Sequence, residues 1–301
     1  MRRTIHLLQR SVPLWITADD LAGKLLEALP GTVDTSEQGA LGERLRASPA
    51  AIVDVLGELM TRSDTAQRHA PALLRQLLPS SPVRHYVSLG THCFTASLLR
   101  RWGLRNWAGP FDWLFSSVEM VTHCIEDDFA TFLDRSLYQP VPVEQRPHGP
   151  SVNRVHHTVY RERFAIDYVF NHHDAHLDAD HGHFQRAVMR FRSLLCADEP
   201  VVFVVTRTQG EGPVDDLRAL RDVLVRRCAS ALLVAYEVPP IDPSTQDAPR
   251  LDVALEEPSL RVYQYLPSSA WRPLKFESLL DEHMLVAHLL GPAVGRVEES
   301  R

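Results

Sequence analysis

Two short stretches of the chain carry residue types that could catalyse a reaction. The first, Tyr86 to Cys93, reads YVSLGTHC: a short apolar run typical of a buried strand, then a glycine turn and the start of an amphipathic helix. This order places Cys93 near the first helical turn, where unpaired N–H groups and the helix dipole favour an anion. Because the thiolate is the nucleophilic form, the pattern indicates a nucleophile of lowered pKa. The alternative is a buried cysteine that only packs at a strand–helix junction.

The backbone of the same turn suits the stabilisation of negative charge. N–H groups at the start of a helix can hold the oxyanion of an acyl-transfer intermediate. We therefore expect the oxyanion or substrate-binding residues to be Ser88, Gly90, Thr91 and His92.

The second stretch, residues 171–183, reads NHHDAHLDADHGH and follows a predicted strand at 165–170. Carboxyl ends of parallel strands meet at one edge of a sheet, so a histidine there could serve Cys93 as general base. Neighbouring residues of a continuing strand point to opposite faces, so only one of His172 and His173 should face the thiol. A solvated loop is one alternative. A divalent-metal site is another, although the spacing fits no standard closed site.

A third candidate is Asp112, in the block Gly109-Pro110-Phe111-Asp112-Trp113. Two large aromatic residues flank this acid and would remove water from it, and a buried carboxylate needs a partner. A histidine or a group of backbone amides would supply one. Capping of a helix that begins at Trp113 is the alternative.

These residues together resemble a known family. SLGxxC followed by a helix and then GPFDW resembles a bacterial family described as papain-like cysteine peptidases, over roughly residues 83–207. The resemblance implies a Cys–His site, and the family's His-Asp step falls on His173-Asp174. It therefore favours His173 as the base, with Asp112 or Asp174 orienting its ring. A helix with spaced arginines also fits the family, at Arg186, Arg190 and Arg192. The additional His172 and the histidine-rich tail depart from the pattern.

The elements that must position these residues alternate along the chain. Continuous apolar runs predict strands, and amphipathic segments between them predict helices, which favours an α/β fold with a mostly parallel sheet flanked by helices. A papain-like α+β fold, implied by the family description, is the alternative. The turn at Cys93 also looks like the nucleophile turn of SGNH-type hydrolases, with cysteine replacing serine. The pattern of residues 1–80 predicts a separate helical module. A Pro-Ser-Ser-Pro linker joins it to an α/β catalytic domain, which we expect at 83–295.

Composition limits the classes of partner and the compartment that we expect for the protein. A net charge of −6 argues against a nucleic-acid or anionic-membrane binder. The four cysteines are scattered without a CxxC pair, and no signal peptide is apparent, so we expect a cytoplasmic protein. The helical module could dock a protein partner.

The leading hypothesis is cysteine-dependent acyl transfer. Cys93 would attack a carbonyl with His173 as base, and the acyl group would pass to water, as in a peptidase or amidase, or to another acceptor, as in an acyltransferase. We expect a peptide or an acyl-carrier-type substrate and no cofactor or catalytic metal. Two alternatives stay open: a metal-dependent hydrolase built on residues 172–183, and a non-catalytic binding protein.

Overall fold

A computed structural model describes residues 85–102, 104–197, 199–240 and 249–290, together with Ala40 and Val83. The predicted helical module at 1–80 lies outside these residues, apart from Ala40, and so does its Pro-Ser-Ser-Pro linker. Gly103, which was expected to end the helix that begins near Cys93, also lies outside them. In the described part of the chain, no helix is long and apolar enough to cross a membrane.

A five-stranded mixed sheet forms the centre of the described region. Its strands are β1 (His85–Thr91), β4 (Val201–Thr208), β5 (Ala231–Val238), β7 (Leu260–Leu266) and β6 (Arg250–Glu257), in that spatial order. β1, β4, β5 and β7 run parallel to one another, and β6 pairs antiparallel with β7 at the edge. The predicted α/β class with a mostly parallel sheet is therefore confirmed. A papain-like antiparallel sheet is absent from the described residues.

Helices cover both faces of this sheet. The helices are α1 (Cys93–Arg101), α2 (Val118–Glu126), α3 (Thr158–Phe164), α4 (Asp178–Leu195), α5 (Val214–Arg227) and α6 (Leu279–Leu290). One core joins apolar side chains of α2, α4 and α5 to alternate residues of the strands, including Val87 and Phe203. Tyr86 points the opposite way, and its hydroxyl donates to the backbone oxygen of Leu289 in α6. This alternation follows from the two-residue repeat of a strand.

The segment between α2 and α4 departs most from the prediction. It contains a small antiparallel ribbon, β2 (Tyr138–Pro140) with β3 (Val155–His157), and then α3. The predicted strand at 165–170 is wrong, because only Phe170 pairs there, in an isolated bridge with Val155. Tyr168 has a φ of 52°, which is incompatible with a continuous strand.

Candidate active site

The turn between β1 and α1 forms at the carboxyl edge of the sheet, as predicted. Thr91 is opposite Thr206 of the neighbouring strand β4, and Cys93 is the first residue of α1. Gly90 has a φ of 95°, and a side-chain carbon there would lie 2.3 Å from Ser116 Oγ. Only glycine meets both conditions, because its backbone tolerates positive φ and it has no Cβ to collide with Ser116.

The start of α1 retains the donors that an oxyanion requires. His92 occupies the N-cap position, but its side chain makes no capping hydrogen bond, so the first amides of the helix have no side-chain cap. Its Nδ1 lies 2.7 Å from the Thr91 hydroxyl. The Gly90 N–H is directed to Ser88 Oγ at 3.4 Å. Among the expected residues, the Gly90 N–H thus has an acceptor in Ser88, and the amides at the start of α1 have no side-chain cap.

Cys93 is buried, and its environment differs from the expected activated thiolate. Only 4% of the residue is exposed. Burial raises the pKa of the Cys93 thiol to about 11, opposed by a backbone hydrogen bond and by the side chain of Asn171. The expectation that the helix start alone lowers this pKa is wrong, because loss of water outweighs the favourable dipole. The resting thiol is therefore protonated at neutral pH.

Asn171 is the link between Cys93 and the histidine segment. Its Oδ1 accepts the backbone N–H of Asn153 at 2.8 Å. Its Nδ2 is therefore the end that lies 3.0 Å from His172 Nε2, and Nδ2 is also its only donor for the thiol. Sequence reasoning missed this residue.

Backbone hydrogen bonds bring this segment beside the nucleophile turn. The Ser116 N–H donates to the Thr91 oxygen at 3.0 Å, and the Phe115 N–H donates to the Val169 oxygen at 3.2 Å. Residues 169–171 therefore run beside 115–116, which in turn lie beside the end of β1. The loop between β2 and β3 supplies the Asn153 amide that fixes Asn171.

His173 has a carboxylate partner, although not one of the two expected. Its Nδ1 lies 3.6 Å from Asp180 Oδ1, and its ring stacks on His183 with centroids 5.2 Å apart. Asp180 is itself fixed, because its Oδ2 accepts the Asp174 N–H at 2.7 Å. Burial, followed by the charges of His173 and Arg154, lowers the pKa of His172. Approach of the His173 ring to Cys93 stays a prediction.

Both acids expected to orient a histidine bind arginine instead. Asp112 is buried and accepts from Arg105 Nη1 at 2.6 Å and from the Gly109 N–H at 3.0 Å. Burial raises its pKa, and the Arg105 charge opposes that rise. Asp174 pairs with Arg154 and, at 3.5 Å, with Arg146. The expectation that either acid orients the base has no support in these contacts.

One comparison with known proteins bears on this site. Residues 84–231 match the family model described as "Putative papain-like cysteine peptidase (DUF1796)". The match covers just under half of the chain and includes Cys93, Asn171, His173 and Asp180. It supports a general cysteine-dependent hydrolase. No match was found among curated proteins or solved structures.

The donors of the histidine segment are not arranged as a metal centre. Among the described residues, no three histidine, cysteine or acidic side chains converge in a way that could hold a metal ion. Residues 178–183 belong to α4 rather than to a loop, which spreads their side chains around a helix.

Proposed function

We propose that the protein is a cysteine-dependent amide or ester hydrolase with Cys93 as nucleophile. The observation that carries the proposal is the connection from Cys93 through Asn171 to the histidine pair, at the start of a helix beside the carboxyl edge of the sheet. Ligands of open α/β sheets bind at this edge. The family match over the same residues supports the same class of reaction.

We assign the role of base to His173 because Asp180 can orient its ring and stabilise the imidazolium. His172 suits the role less, since its Nε2 already faces Asn171 Nδ2. Because the Cys93 thiol is protonated at rest, proton removal accompanies attack instead of preceding it.

The catalytic sequence consists of two acyl transfers, and His173 carries one proton in each. The sulfur attacks the carbonyl carbon as the thiol proton passes to His173. The amides at the start of α1 and Asn171 Nδ2 stabilise the oxyanion. The imidazolium returns the proton to the leaving amine or alcohol, which departs and leaves a thioester. Water then attacks the thioester as His173 takes its proton. The imidazolium returns that proton to the departing sulfur, so the acid is released and the Cys93 thiol is regenerated. An amine or alcohol in place of water would make the same site an acyltransferase.

A matched pair of histidine variants tests the assignment. With p-nitrophenyl acetate as acyl donor, Cys93→Ala should abolish turnover, and His173→Ala should lower kcat by about 10²–10⁴-fold. His172→Ala should retain most of the activity. The reverse ranking of the two histidines would assign the base to His172, and turnover that survives Cys93→Ala would refute the proposal. Cys196→Ser is the control, since this exposed thiol lies outside the site.

A further inference from the structure

Helix α4 presents a stripe of one histidine and two arginines beside the candidate site. His183, Arg186 and Arg190 are spaced three and four residues apart, so they lie on one face of the helix. The His183 ring stacks on the His173 ring at 5.2 Å and 15°, which places one end of the stripe beside the proposed base.

Neither arginine of the stripe has a carboxylate partner in the described part of the chain. Arg186 is exposed and makes no hydrogen bond or ion pair there; its Nη1 extends back over Gly182. Arg190 donates from Nη2 to the Ala108 oxygen at 3.0 Å and lies over the Trp107 ring. Its Nε is buried without an acceptor.

Arg192, on another face of the same helix, shows the usual arrangement. Its Nη2 lies 3.1 Å from an Asp128 carboxylate oxygen, and its Nε also donates to Asp128. The contrast indicates that the stripe is selectively left without acids, in a chain whose net charge is −6.

The acids on the same segment, Asp174 and Asp180, are held by groups other than the two arginines of the stripe. Asp174 is held by Arg146 and Arg154, and Asp180 by His173 and the Asp174 N–H. Like charges at i and i+4 destabilise a helix, and a buried donor without an acceptor is also unfavourable. A bound anion would relieve both.

We propose that His183, Arg186 and Arg190 bind an anionic group, a phosphate or a carboxylate, carried by the substrate. Planar guanidinium groups suit both oxyanions because they offer paired donors. The binding of an anion is independent of the reaction. Its identity as part of the substrate rests on the proposed function.

The first test measures binding without turnover. Wild-type protein is titrated with inorganic phosphate and separately with acetate at constant ionic strength, by calorimetry. We expect saturable binding of at least one anion, about tenfold weaker in Arg186→Ala and lost in Arg186→Glu. Arg192→Ala, the matched control, should bind as the wild type does. The anion that binds identifies the chemistry, whereas absence of saturable binding, or equal weakening in Arg192→Ala, would overturn the proposal.

The second test connects the stripe to the substrate. Turnover of p-nitrophenyl acetate is compared with that of mono-p-nitrophenyl succinate, whose acyl group carries a carboxylate, or with a phosphate-bearing ester if phosphate is the anion that binds. Arg186→Ala should raise the KM of the charged ester about tenfold without changing its kcat. Both kinetic constants for the neutral ester should stay the same. Equal effects on both esters would overturn the assignment to substrate. If Cys93→Ala retains full turnover but anions still bind, the proposed function fails and the anion site stands.

Discussion

The ion pair between Arg105 and Asp112 should contribute strongly to stability, and a double-mutant cycle can measure it. The side chain of Asp112 is 2% exposed and that of Arg105 15% exposed. Arg105→Ala would leave the carboxylate in the core with only the Gly109 N–H as donor. Breaking a buried pair costs about 3–5 kcal/mol, and we expect the lower end because that hydrogen bond remains.

Asp112→Asn should cost less, about 1–3 kcal/mol, because an amide oxygen still accepts from Gly109 and Arg105 retains some access to water. The double variant should be more stable than Arg105→Ala alone, since a neutral amide needs no cation. The negative charge of Asp112 raises the pKa of the Cys93 thiol, so Asp112→Asn should also lower that pKa slightly.

Urea unfolding of the four proteins gives the cycle, and the rate of iodoacetamide labelling against pH gives the thiol pKa. A loss of about 3 kcal/mol should lower Tm by roughly 6–12 °C in a domain of this size. Additive effects, or a loss below about 1 kcal/mol for Arg105→Ala, would refute the reasoning that the pair is buried and coupled.

Two further predictions concern stability. Gly90→Ala should lower the free energy of unfolding by about 3 kcal/mol or more, because alanine there has a positive φ and its Cβ collides with Ser116. Gly149→Ala is the control: its φ is 101° but no atom lies within 4 Å of the added Cβ, so it should cost only about 1 kcal/mol. Equal losses by chemical denaturation would contradict the steric argument. Burial lowers the pKa of His283 to about 3 from 6.5, so the unfolded chain takes up the proton first as pH falls. The contribution of neutral His283 to the free energy of unfolding is therefore complete above about pH 6.5. It falls by up to roughly 4–5 kcal/mol as the pH drops towards 3. His283→Phe should flatten that dependence in urea titrations at several pH values, and an unchanged slope would contradict it.

The sequence predicted the elements that have one strong signal. Continuous apolar runs identified β1, β4 and β5, since strands covered on both faces have no polar alternation. A last strand was also expected at 261–265, inside what is β7, although RVYQY contains polar residues. It missed β6, whose pattern RLDVALEE is largely exposed and charged because it is the edge strand. It left a solvated loop as one interpretation of residues 171–183, because the histidines and Gly182 resemble a loop, whereas α4 begins at Asp178. Asp178 and Asp180 stabilise that first turn through the helix dipole.

The candidate site was predictable only where neighbouring residues define it. A strand, a glycine turn and a helix start place Cys93 from local sequence alone. The role of Asn171 depends on the Asn153 amide, eighteen residues earlier, and on a backbone path beside Phe115. The partner of His173 depends on the true start of α4, which turns Asp180 towards it. Long-range contacts of this kind leave no periodic signal in one sequence.

The central claim, that Cys93 is the acyl-accepting nucleophile, is tested most directly by mapping a trapped acyl-enzyme. The Cys196→Ser variant, which lacks the exposed thiol, is mixed with p-nitrophenyl acetate, quenched in acid and digested for mass spectrometry. We expect one acetyl group, on Cys93. In His173→Ala, acylated at high pH, the acetyl group should accumulate further, because deacylation also needs the base. An acetyl group found only on other residues, or equal acetylation in Cys93→Ala, would contradict the account.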